Sequence, residues 1–84
     1  MKEELAGTVT HYFGKIGVAA IKLAKPLKAG DKLCFKGATT DFEDTIVSMQ
    51  IGHEIVASAK KGAEIGLKVK DRVREGDKVY LVTE

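Results

Sequence analysis

The fold is decided by a seven-residue phrase that the chain uses twice, as LKAGDKL at Leu27–Leu33 and as VREGDKV at Val73–Val79. Each copy places an apolar residue before a polar turn closed by Gly-Asp-Lys, and each leads into a run of β-forming residues. Glycine turns the backbone through positive φ without steric cost, and the aspartate after it can hydrogen-bond the turn backbone. We therefore predict structural turns at Gly30, Asp31, Gly76 and Asp77.

Short β-rich runs separated by glycine-containing turns fill the rest of the chain, and no segment shows sustained helical periodicity. The predicted strands are Ala6–Phe13, Ile16–Leu23, Lys32–Lys36, Thr45–Ile51, Glu54–Ala57, Glu64–Lys70 and Lys78–Thr83, with a polar loop at 38–44. Strands at this spacing favour an all-β fold, a small closed antiparallel β-barrel of six or seven strands. A two-sheet sandwich is the alternative.

Length and composition set the outer limits of the interpretation. Eighty-four residues are enough for one small domain, so 1–84 is predicted to be a single unit. No run of about 18 apolar residues is present, which predicts no membrane association. The single cysteine, Cys34, favours a reducing, cytoplasmic setting. The absence of asparagine suggests a thermophilic source.

Six short motifs follow one another in a fixed order. They are Gly7–Val9, Gly17–Val18, Leu27–Leu33, Ile46–Met49, Ala59–Leu67 and Val73–Val79. In this order they resemble the second domain of elongation factor Tu and related translational GTPases. That resemblance implies a translation-protein β-barrel, which in the elongation factors helps to hold the aminoacyl end of transfer RNA.

A closer resemblance is to the small barrel appended to collagenase-like peptidases, and it runs through His11–Phe13, Thr39–Phe42 and Ser48–Ile51. Members of that family are implicated in RNA modification. The chain lacks a Gly-x-x-x-x-Gly-Lys-Ser/Thr phosphate loop, so we predict no GTP binding by this chain alone.

Catalysis has little support in the sequence. Cys34 could act as a nucleophile with His11 or His53 as its base, but it alternates with Leu33 and Phe35 on a short strand, where a structural role is usual. The histidines and the cysteine show no paired metal-ligand spacing. The acidic residues of the loop, Asp41, Glu43 and Asp44, do not follow the pattern of a calcium loop. We predict no enzyme activity, no metal and no cofactor.

Two groups of residues favour RNA contact. Near the tip of the first hairpin, Tyr12 and Lys15 could stack a base and neutralise a phosphate. Strand alternation places His11 and Phe13 on the face of Val9, which predicts a buried Phe13 and an outward Tyr12. The second group is a basic run of four cations in seven residues: Lys68, Lys70, Arg72 and Arg74.

These observations predict a non-catalytic binding module related to translation factors, which contacts transfer or ribosomal RNA through a basic face. The alternative is a protein-docking accessory barrel for a GTPase, a ribosomal component or an RNA-modifying enzyme. The sequence leaves the RNA and protein partners open.

Overall fold

The computed structural model describes residues 2–38, 40–52 and 54–83, which form ten short strands. The strands are β1 (Lys2–Phe13), β2 (Val18–Leu23), β3 (Leu27–Lys28), β4 (Lys32–Lys36), β5 (Asp41–Thr45), β6 (Met49–Ile51), β7 (Glu54–Val56), β8 (Ser58–Ala59), β9 (Glu64–Lys68) and β10 (Lys78–Thr83). No helix forms in these ranges, so the all-β prediction is confirmed.

Eight strands form one antiparallel sheet in the order β5-β4-β10-β1-β2-β9-β6-β7, and β3 pairs with β8 beside it. Strand β1 lies near the centre because its N-terminal half pairs with β10, from Lys2 opposite Thr83, while its C-terminal half pairs with β2. The charged start of β1 carries little β-signal in the sequence, and pairing with the last strand is what extends it.

The prediction of a small closed antiparallel barrel of six or seven strands is confirmed in its all-β, antiparallel character, but the described residues form ten strands and show no closure. Among the described residues, the outer strands β5 and β7 form no ladder with each other. Strand β5, which carries Asp41, Glu43 and Asp44, is one outer strand of the sheet, and β4 is its only ladder partner among the described residues. The backbone N–H of Lys70, in the segment after β9, donates a hydrogen bond to Asp44 Oδ2 (3.3 Å) across the gap between that segment and β5, which we call the seam.

Residues 38–51 also differ from the prediction. Phe42 and its neighbours form β5 rather than a loop, because Phe42 stacks on Phe35 of β4 with ring centroids 4.9 Å apart. Ile46 is buried between strands and Val47 is 87% exposed, so the predicted strand from Thr45 to Ile51 is interrupted and only β6 remains of it. Because Ile46 and Val47 are adjacent and both apolar, the sequence did not show which of them faces the core. Tertiary packing buries Ile46.

Three turns of one geometry organise the sheet. Each has glycine at its third position with a φ of about 90°, and the N–H of its fourth residue donates to the C=O of its first at 3.1 Å, as in a type II turn. In each, the glycine N–H and the C=O after it also bond the C=O and N–H of one buried apolar residue. The turns and their buried partners are 28–31 with Ile46, 60–63 with Leu23, and 74–77 with Val9.

The core is one cluster of buried side chains to which both the eight-stranded sheet and the β3–β8 pair contribute. Its fully buried side chains include Phe35, Ile21, Leu27, Leu33, Met49 and Ile65. Burial alternates along β9 and the two residues after it, since Ile65, Leu67 and Val69 are all buried while Lys68 and Lys70 are exposed.

Candidate functional site

The tip of the first hairpin does not present its aromatic residues as alternation predicted. Phe13 is 46% exposed, whereas Tyr12 is half-buried and packs against the core. The cause is a register shift between Val9 and His11 in the β1–β2 ladder, since a bulge reverses the facing of every residue beyond it. The outward Tyr12 and the buried Phe13 were therefore both wrong predictions.

The residues around this tip form an exposed apolar surface. Ile16, in the turn beside Lys15, is 63% exposed, and the His11 ring lies edge-on to Phe13 at 4.4 Å between centroids. The surface continues across the sheet, because Ala20, Gly66, Gln50 and Ile55 follow one another in register on four strands. We call its apolar members the outer patch: Phe13, Ile16, Val18, Ala20 and Ile55.

Sequence reasoning missed this patch. Ile55 is 72% exposed on the edge strand β7, and the paired residues Ala20 and Gly66 carry only a methyl group and a hydrogen atom on this face. One signal was available, an isoleucine placed inside the Gly14–Gly17 turn, where polar residues are usual.

The four cations of the basic run come together along the seam. Lys68 ends β9, and Lys70, Arg72 and Arg74 follow in the segment that leads to the third turn; all four are exposed. They face β5 across two adjoining clefts, which we call the seam groove. Its lining is Thr40, Asp41, Phe42, Asp44, Thr45, Val47 and Ser48 on one bank, and Lys68, Val69, Lys70, Asp71, Arg72 and Arg74 on the other.

In the seam groove, two carboxylates accept hydrogen bonds from backbone N–H groups, whereas the four cations form no ion pair among the described residues. Asp44 accepts hydrogen bonds from the N–H groups of Thr45 (2.9 Å) and Lys70 (3.3 Å), and Asp71 accepts one from the N–H of Arg72 (2.8 Å). The ion pairs found within the described ranges lie elsewhere, for example Lys32 with Glu43 at 3.3 Å and Lys36 with Glu3 at 2.8 Å. The groove thus presents four cations without an ion pair among the described residues, together with Asp44 and Asp71, which already bind backbone, and the carboxylate of Asp41.

A buried carboxylate fixes one end of the groove. Asp77 is only 6% exposed, and its Oδ2 accepts hydrogen bonds from the Thr40 hydroxyl (2.5 Å) and from the N–H of Arg74 (2.9 Å). Its backbone sits in the third turn, so one side chain ties both banks together. The corresponding aspartate in the first turn, Asp31, is half-buried and accepts one bond, from the N–H of Lys28 (3.0 Å).

Cys34 has the environment of a structural thiol. It is 4% exposed on β4, and burial, followed by the charge of Glu3, raises the pKa of its thiol. A raised pKa disfavours the reactive thiolate. The Nδ1 atom of His11 lies 3.1 Å from Glu75 Oε1, and His53 falls outside the described residues. No cluster of three histidine, cysteine or acidic side chains suited to a metal occurs in the part of the chain that the structure covers.

Comparison with known proteins places the chain beside peptidases. It is 46% identical over 79 residues to an uncharacterized protease of Methanocaldococcus jannaschii, an alignment that covers 93% of this chain and 19% of the relative. It is 32% identical over 71 residues to a collagenase of Porphyromonas gingivalis, covering 82% of this chain and 20% of the relative. The chain therefore spans about a fifth of the length of these relatives. No family model matches it.

Two solved structures have the same fold. Both are crystal structures of the C-terminal domain of a Geobacillus thermoleovorans protein assigned to the U32 peptidases, one of them a selenomethionine variant. Their TM-scores are 0.89, over 95% of this chain and 93% of that one, and 0.86 for the variant, over 90% and 96%. The chain shares the fold of that domain. Sequence identity to them is 20% and 22%.

These findings correct the functional prediction. The resemblance to the collagenase-like barrel is supported, but the relatives are named as proteases and collagenases and not as translation factors. The predicted translation-type role in contacting transfer or ribosomal RNA is therefore wrong, and so is the assignment to the elongation factor barrel. Across the three described ranges, no helix is long and apolar enough to cross a membrane.

Proposed function

We propose that the chain is a non-catalytic accessory domain that docks onto a peptidase catalytic domain. The observation that carries this proposal is the match to one fifth of much longer proteins named as proteases. The same fold was crystallised elsewhere as the C-terminal domain of a larger peptidase. A domain of this size is well suited to position a larger neighbour or its substrate.

The outer patch is the proposed docking surface. Ile16 and Ile55 are more than three-fifths exposed, and Phe13 is nearly half exposed, so three large apolar side chains meet water on one side of the sheet. Burying an exposed isoleucine at an interface contributes about 1.5–3 kcal/mol. Gly66, which pairs with Ala20 on this face, has no side chain, and a Cβ built there would make only ordinary contacts with Val18 and Gln50, so the face has room for a partner's side chains.

Catalysis is assigned to the partner because this chain's own candidate groups are otherwise engaged. The pKa of the Cys34 thiol is raised and the side chain is buried. Asp77 binds Thr40 and the turn backbone, so it is a structural carboxylate. Neither group presents a reactive atom to a substrate.

The test is binding in trans to the Methanocaldococcus relative from which the matched 79 residues have been deleted. We expect the 84-residue chain to bind this remainder. We expect the double variant Ile16→Ser/Ile55→Ser to bind at least about tenfold more weakly, since it removes most of the apolar area of the patch. The control is Val47→Ser, which removes an apolar side chain that is 87% exposed but lies in the seam groove.

Two results would contradict the proposal. One is an equal loss of binding for the patch variant and for Val47→Ser, because docking would then not depend on the outer patch. The other is cleavage of gelatin by the isolated chain that disappears in Cys34→Ala, because the chain would then be catalytic.

A further inference from the structure

We propose that the seam groove binds an extended, acidic segment of a substrate polypeptide, which adds to the free edge of β5 and places carboxylates on Arg72 and Arg74. This inference rests on the proposed function, because an accessory domain of a peptidase would meet extended polypeptide chains. It concerns a different surface from the outer patch, so the two can be tested separately.

One edge of β5 is open to an added strand. Strand β4 pairs with one edge of β5 from Asp41 to Thr45, and the other edge faces the groove. Within the described ranges, no backbone hydrogen bond reaches residues 41–45 from that side. Unpaired N–H and C=O groups on an edge strand bind an added strand through main-chain hydrogen bonds.

The cations of the groove are available to an acidic partner. The cations on the far bank, Lys68, Lys70, Arg72 and Arg74, have no carboxylate within ion-pair distance in the part of the chain described. The carboxylates of Asp44 and Asp71 already accept backbone N–H groups. Incoming carboxylates would therefore find free donors, and the planar fork of arginine binds a carboxylate in a bidentate manner.

The two arginines lie close to the start of β5. Arg72 and Arg74 line the cleft that also contains Phe42 and the start of β5. The backbone of Arg74 is held by its hydrogen bond to the buried Asp77, which also binds Thr40 on the opposite bank. The base of one arginine is thus fixed relative to the edge on which the peptide would pair.

The same features favour a polypeptide over a nucleic acid. A polyanion would gain from the four cations but has no regular row of main-chain donors and acceptors to match an open strand edge. An acidic peptide uses both banks, with its backbone on β5 and its side chains on the cations.

The experiment measures fluorescence anisotropy of a labelled, unstructured peptide of alternating glutamate and threonine as the full 84-residue chain is added at low salt. Three further probes keep length constant: the glutamine analogue, the lysine analogue, and the glutamate peptide N-methylated at alternate residues. N-methylation removes main-chain donors while leaving the charges unchanged. An RNA oligonucleotide of equal charge is the polyanion probe.

We expect the glutamate peptide to bind best and N-methylation to weaken binding about tenfold, because it prevents strand pairing. The variant Arg72→Ala/Arg74→Ala should weaken binding of the glutamate peptide by a similar factor. The control Lys60→Ala/Lys61→Ala, which removes the same charge at an exposed turn outside the groove, should change binding less than about twofold.

Several outcomes would overturn the proposal: equal loss in both double variants, indifference to N-methylation, tighter binding of the lysine peptide, or tighter binding of the RNA. Failure of the peptide assay while the catalytic remainder still binds through the outer patch would remove only the groove inference. Peptide binding without docking would remove only the proposed function.

Discussion

Replacing Asp77 by alanine is expected to destabilise the fold far more than the same change at Asp31, although the two residues occupy equivalent places in the repeated phrase. Asp77 is 6% exposed and accepts two hydrogen bonds, from the Thr40 hydroxyl at 2.5 Å and from the Arg74 N–H at 2.9 Å. Asp31 is half-buried and accepts one side-chain bond, at 3.0 Å. The difference lies in the surroundings of each turn.

The magnitude follows from those bonds. A hydrogen bond to a charged group contributes about 1.5–3 kcal/mol, and a buried partner left unsatisfied carries its own desolvation cost. Two such bonds predict a loss of about 3–5 kcal/mol for Asp77→Ala. One solvent-accessible bond predicts about 1 kcal/mol for Asp31→Ala. Small domains have only about 5–15 kcal/mol in total, so the first loss is a large fraction.

Urea unfolding followed by far-ultraviolet circular dichroism measures both losses. With a slope of about 1–1.5 kcal/mol per molar urea for a domain of this size, Asp77→Ala should lower the midpoint by about 2–5 M. Asp31→Ala should lower it by less than about 1 M. Asp77→Asn keeps an acceptor and should fall between them. Equal midpoints for the two alanine variants would refute the argument that burial, and not the turn itself, sets the contribution of the aspartate.

The remaining predictions concern the turns and two titrating groups. Gly76→Ala and Gly30→Ala should each cost about 1–2 kcal/mol in urea unfolding, because an added Cβ meets no atom there and the positive φ is the whole penalty; a variant that melts like wild type would contradict this. The hydrogen bond to Glu3 raises the pKa of Lys36 above its ordinary 10.5, so its stabilisation is complete below pH 10.5 and is lost as the pH rises through the folded-state value. Glu3→Gln should lower that pKa in an NMR titration, and an unchanged pKa would exclude Glu3 as the cause. Burial raises the pKa of the Cys34 thiol, so we expect a thiol reagent at neutral pH to label the native chain much more slowly than the urea-unfolded chain; equal rates would show an accessible thiolate.

The strand content and the turns could be predicted from local sequence. The spacing of β-branched and apolar residues predicted β-structure without helices, and the structure has none in its described residues. The Gly-Asp-Lys phrase predicted turns because only glycine adopts positive φ easily, and Gly30 and Gly76 have φ values of 96° and 90°. The core-facing row of β9 also followed from simple alternation.

The facing of the first hairpin and the boundaries near β5 could not be predicted in this way. A register shift after Val9 exchanges the environments of Tyr12 and Phe13, and a shift of this kind depends on the partner strand. Asp41–Thr45 reads as a polar loop in isolation, yet it forms β5 because β4 offers it a ladder and Phe35 offers Phe42 a stacking partner.

The two candidate sites also differ in how far the sequence alone could predict them. The sequence alone determined that Lys68, Lys70, Arg72 and Arg74 form a basic run, because charge and spacing are local properties. Only the tertiary structure placed that run across a groove from the free edge of β5, since the unclosed seam brings together residues about 30 positions apart in the chain. It likewise assembled the outer patch from β1, β2 and β7. Contacts between distant segments depend on strand order and register, which a single sequence leaves open.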